Sequence, residues 1–234
     1  MNLKKNKVLI WLTVFAVAMG IFEGSVVIYL RALYYPHGFY FPLTLIDHHI
    51  AITELIRELA SLFMLLSVSI VAGKNSSQRF AWFIYSFAIW DIIYYVFLFL
   101  ILGWPKSLLT WDVLFLLPVI WTGPVIAPIL LSILMIFLSL IIYKFNRKNN
   151  YQFKILRNDW FVLITGSIIV FVAFIYDYCR FLIKNISSSE LNFNKLSDLS
   201  LNYIPESFNW ALFTVGFLIL LAGIFSIYVS GKAN

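Results

Sequence analysis

The chain has 234 residues, is 62% hydrophobic and only 12% charged, and has a mean hydropathy of +0.90. A soluble domain carries about twice that charged fraction, so a water-soluble core is disfavoured and an all-α polytopic membrane protein is expected. The formal charge of +6 is clustered between apolar runs, which suits loops at a bilayer surface and gives no nucleic-acid face.

Six apolar spans are predicted: Val8 to Arg31, His48 to Ala72, Phe80 to Gly103, Pro124 to Tyr143, Trp160 to Ile183 and Phe208 to Ser230. Each is about 20 residues or longer, enough for a helix to cross a hydrocarbon core of about 30 Å. The first span follows Lys4, Lys5 and Lys7 and contains Ala16-Val17-Ala18, as a secretory signal would. The apolar run continues to Leu30, too long for such a signal, so an uncleaved helix is expected. Lysine and arginine alternate with the spans. Eleven fall on one face and four on the other (Arg31, Lys106, Lys184 and Lys195), which predicts that both termini are cytoplasmic. The chain reads as one integral membrane domain, residues 1–234, with no internal repeat.

The connections differ in character. Tyr34 to Asp47 carries Pro36, Gly38 and Pro42 among aromatics and is expected to fold back as a turn-rich cap at the interface. Trp104 to Pro124 is apolar but broken by three prolines, and Ser107 to Leu117 is predicted as a short helix in or dipping into the outer leaflet. A kinked outer extension of the fourth helix is the other reading. The segment Asn185 to Glu206 is polar and holds Asn185-Ile186-Ser187, a glycosylation acceptor pattern that by itself means little.

Four carboxylates interrupt the first three spans. A rise of about 1.5 Å per residue puts Glu23 roughly 10 Å, Glu54 roughly 9 Å, and Glu58 and Asp91 roughly 15 Å below the outer edge of the core. Asp47, Glu54 and Glu58 are spaced to share a face of the second helix. Arg57 is expected to pair with Glu54, three residues earlier. Tyr94 and Tyr95 follow Asp91 by three and four residues and are candidate donors to it. Gly20 and Gly24 flank Glu23 as a small-xxx-small pair that lets a helix approach closely. Bare carboxylates in a low dielectric must find protons, a cation or water. Convergence of Glu23, Glu54, Glu58 and Asp91 therefore predicts an acidic pocket for a divalent metal, another cation or protons. Arg57, Tyr94, Tyr95, His48 and His49 are expected around it.

Other chemistry lacks its parts. There is no HExxH, Walker loop, GxSxG or Glu-x-x-His pair, and no histidine lies mid-span for haem. The single cysteine, Cys179, allows no internal disulfide or thiolate cage and reads as packing. Asp177 and Arg180 are expected to pair near the end of the fifth span, and Asp112 to cap the short helix or face the pocket mouth.

The strings FEGSVVIYLRALYYPHGF, RFAWFIYSFAIWDIIYY, WDVLFLLPVIWTGPVIAP and PESFNWALFTVGFLILLAGI carry a resemblance that covers most of the chain. In them the sequence resembles a family of bacterial multi-pass membrane proteins without an assigned activity. The resemblance implies a bacterial inner membrane and no mechanism. Transport, a membrane-embedded reaction, and a non-catalytic subunit or assembly factor with a protein partner in the membrane all remain open.

Overall fold

The computed structural model describes residues 7–185 and 199–233. The chain folds into helices α1 (Lys7–Tyr34), α2 (His48–Ala72), α3 (Ser76–Leu102), α4 (Ile126–Lys148), α5 (Arg157–Asn185) and α6 (Trp210–Ala233). All six are long and apolar enough to span a membrane, so the protein is an all-α polytopic membrane protein. The Asn185-Ile186-Ser187 pattern extends outside the described residues.

Local chemistry sets the helix ends. Asp47, outside the helix face predicted for it, accepts from His49 N at 2.9 Å and caps α2. Asn75 caps α3 by accepting from Gln78 N at 2.8 Å. The α3 terminus needs Gly103, whose φ of 63° suits the left-handed stop.

The main correction lies between α3 and α4. Instead of a short helix over Ser107 to Leu117, the chain forms an antiparallel hairpin of β1 (Trp111–Phe115) and β2 (Trp121–Pro124). Asp112 pairs with Gly123 and Val113 with Thr122, with an irregularity between Val113 and Phe115. Pro118 cannot continue a helix, and Trp111, Val113 and Phe115 favour strand. Neither the short helix nor an extension of α4 is formed.

α3 is the central helix, packed by α1, α2 and α4, while α5 packs on α6. α1 and α3 are close at Gly20, where a Cβ would lie 2.8 Å from the Trp90 carbonyl oxygen, as the small-residue spacing predicted. α1 and α2 both lean on α3 and scarcely on each other. The two ends of the bundle differ. One bears the basic loops; the other bears the hairpin. At the hairpin end Trp121 stacks on Phe174, with centroids 6.1 Å apart, and Trp111 meets Phe208 edge-on. These contacts bind the hairpin to α5 and to Phe208, two residues before α6.

A polar knot completes that attachment. Asp177 does not pair with Arg180 among the described residues; it accepts from Tyr203 Oη at 2.9 Å and Glu206 N at 3.0 Å. The phenol proton is thereby used, so Thr122 on β2 donates to Tyr203 Oη across 2.9 Å. We expect Tyr203→Phe to lower unfolding stability by about 1–3 kcal/mol, because it leaves buried Thr122 without its partner and takes one donor from Asp177. Denaturant unfolding of the purified protein checks this.

Candidate functional site

The space between α1, α2 and the hairpin is a cavity of about 580 Å³. Glu23, Glu54, Glu58 and Asp91 all line it, with Arg57, Tyr94 and Tyr95. The predicted set is thus gathered round one space, except its histidines. His48 and His49 are exposed, stacked edge-on against each other at 6.0 Å, and lie outside the lining. Neither imidazole stands beside the acids as expected.

The cavity belongs to the hairpin end alone. Among the described residues, none of its lining comes from residues 7–22 of α1, 59–72 of α2 or 76–86 of α3. Towards the basic end Met19, Leu65 and Trp90 form one buried cluster and Leu12, Trp82 and Tyr85 a second; a separate apolar groove of about 440 Å³ opens between α1 and α2 beside Leu12, Ser67 and Val68.

Each acid has a particular partner. Arg57, one turn after Glu54, sets Nε and Nη2 each 2.8 Å from Glu54 Oε2. Its Nη1 bonds Glu23 Oε2 on α1, so one guanidinium ties the two helices across the gap. Glu58 Oε2 accepts from Leu116 N in the hairpin loop at 3.1 Å. Glu58 is ten residues into α2, about 15 Å along its axis, so the hairpin loop descends to membrane depth. Non-helical backbone survives there only when protein or a water-filled cavity surrounds it, and the carboxylate supplies the acceptor for the Leu116 amide.

Asp91 Oδ2 accepts from Ser132 Oγ on α4 at 2.8 Å, and neither tyrosine serves it. Tyr95 Oη instead donates to Asp112 Oδ2 at 3.2 Å. Asp112 faces the cavity and does not cap a helix. Its Oδ1 lies 3.4 Å from Arg31 Nη2, and the Arg31 guanidinium is 3.7 Å from the centre of the Trp104 ring. Burial pushes the Asp112 carboxyl up to about 6, against the pull of Arg31 and Tyr95.

Arg31, expected only as an outer-face charge at the end of the first span, is a cavity residue. Glu23, Val27, Leu30, Arg31 and Tyr34 all line the cavity, at the spacing of one helix face. That spacing was the available signal.

The metal expectation finds no support. Among the described residues, no group of three or more His, Cys, Asp or Glu side chains is placed to hold an ion. The acids reach the cavity from α1, α2, α3 and β1, and the Arg57 guanidinium stands between Glu23 and Glu54. The charge expectation is met in part. Five carboxylates and two guanidiniums line the space, leaving three carboxylates without a matching positive side chain in the described lining. No known protein family, characterised protein or solved structure matches the chain.

Proposed function

We propose that the protein is an integral membrane protein whose cavity binds a cation from the outer side of the membrane. The carrying observation is the excess of five lining carboxylates over two guanidiniums in a space walled mostly by apolar side chains. The hairpin end faces outwards and both termini face the cytoplasm. Support for this comes from the eleven to four division of lysine and arginine between the two faces. The sequence resemblance supports a bacterial inner membrane. Because the packed layers of Leu12, Met19, Leu65 and Trp82 lie beneath the cavity, the reading favours binding or an embedded reaction on the outer side over an open path through the bundle. A proton fills the cation role for any carboxylate that finds no other.

The test is binding to the purified protein, measured by thermal shift against sodium, calcium, manganese and tetramethylammonium ions and across pH. At least one cation, the proton included, should stabilise the wild type. That gain should fall about tenfold in apparent affinity when Glu58→Gln and Asp91→Asn are combined. Identical responses of the two proteins would overturn the reading. A second reading, a non-catalytic subunit with structural acids, is favoured by the single protein partner that each of Glu58 and Asp91 already has. It requires identical responses to the four added ions, because structural carboxylates alter only the pH dependence.

A further inference from the structure

We propose that the cation is an organic ammonium carrying an apolar part, held with its charge among the carboxylates and its hydrocarbon against the cavity wall. This rests on the cation reading and narrows it.

The first argument is the placement of the donors. The acids stand on four different elements, and none of them forms a group of three that could ligate an ion among the described residues. A small inorganic ion needs several oxygens at about 2.0–2.6 Å. An ammonium bearing carbon substituents needs only a negative surround and aromatic faces. The cavity offers both. Phe87, Trp90, Tyr94 and Tyr95 line it along one face of α3, in the same turns as Asp91.

Size is the second argument. About 580 Å³ is in the range of small-molecule sites and far beyond one ion or proton. A wall that includes Val27, Leu30, Leu55 and Leu114 gains nothing from an ion and its water, and gains stabilisation from hydrocarbon. The third argument is that Glu58 and Asp91 each accept only from a neutral donor, Leu116 N and Ser132 Oγ. Of the five carboxylates lining the cavity they are the two with no guanidinium bonded to them, and they stand where the ammonium belongs.

Three soluble probes separate charge from hydrocarbon in the wild-type protein: tetramethylammonium, hexyltrimethylammonium and 1-hexanol. Binding is followed by titration calorimetry in a neutral detergent below its partitioning range. Each buried methylene is worth about fourfold in affinity, so hexyltrimethylammonium, with five more methylenes, should bind about a thousandfold more tightly than tetramethylammonium. It should also bind at least tenfold more tightly than 1-hexanol. Glu58→Gln combined with Asp91→Asn should erase its advantage over 1-hexanol and leave the alcohol unchanged. Equal binding of the two ammonium ions would overturn this inference and leave the cation reading standing. Equal binding of hexyltrimethylammonium and 1-hexanol, or binding of none of the three, would likewise overturn this inference, and the thermal-shift comparison with inorganic ions then decides the cation reading by itself.

Discussion

Replacing Arg57 with methionine is expected to cost about 3–5 kcal/mol of stability, the loss typical of breaking a buried ion pair from one side. Three nitrogens of this one guanidinium contact Glu23 and Glu54, which come from different helices. Methionine fills much of the same volume, so the cost falls on charge and hydrogen bonding, with little cavity formation. Two carboxylates would be left largely buried, at 13% and 11% side-chain exposure, without their cation. Removing that charge should repair the damage. Arg57→Met combined with Glu23→Gln and Glu54→Gln is expected within about 2 kcal/mol of wild type, since a neutral replacement for a buried ionic group is often tolerated. Arg57→Lys should fall between, because an ammonium keeps the charge and cannot reproduce the fork. Unfolding of the four proteins in detergent gives the comparison. A triple variant no more stable than Arg57→Met would mean that Arg57 acts through packing alone.

The spans were legible because crossing a bilayer needs a run of apolar residues, and hydropathy reads such runs directly. The depth of Glu23, Glu54, Glu58 and Asp91 followed from helical rise alone, and all four meet at one cavity. Rotation about the helix axis was harder to read. His48 and His49 stand one to two turns from Glu54 but about 120° and 140° round the helix from it at 100° per residue, so proximity in sequence put them on the wrong face. Ser132, the partner of Asp91, lies on α4, and no local spacing points to it. Tyr95 is one turn from Asp91 yet bonds Asp112, because a phenol carries its hydroxyl far from its own backbone and towards a neighbouring element. The hairpin was hidden by composition. Short apolar runs fit strand or helix equally by hydropathy, and only the alternation of Trp111, Val113 and Phe115 with the break at Pro118 separates them. The turn that lets Leu116 reach Glu58 leaves no motif in the sequence.

Arg31→Met is expected to cost about 3 kcal/mol and to loosen the hairpin before the bundle melts. Arg31 is 8% exposed and Asp112 2%, so water cannot replace the partner that either one loses. Their contact is long, 3.4 Å between Nη2 and Oδ1, so the pair is not held by a short hydrogen bond alone. The guanidinium also lies 3.7 Å from the centre of the Trp104 ring and 4.7 Å from that of Phe39, which fixes it by cation–π attraction from two sides. Methionine keeps the stem against those rings and removes only the charge. Asp112 would then depend on Tyr95, and β1 would lose its attachment to α1. The hairpin would still be held through Leu116 to Glu58 and through Thr122 to Tyr203. The loss is therefore local. Hydrogen exchange at the β1 amides should quicken at least tenfold while that of α5 and α6 is unchanged. Adding Asp112→Asn should restore part of the protection, because the stranded charge disappears. Uniform acceleration across all six helices would show instead that Arg31 supports the bundle as a whole, and that the hairpin is not a separately anchored cover over the cavity.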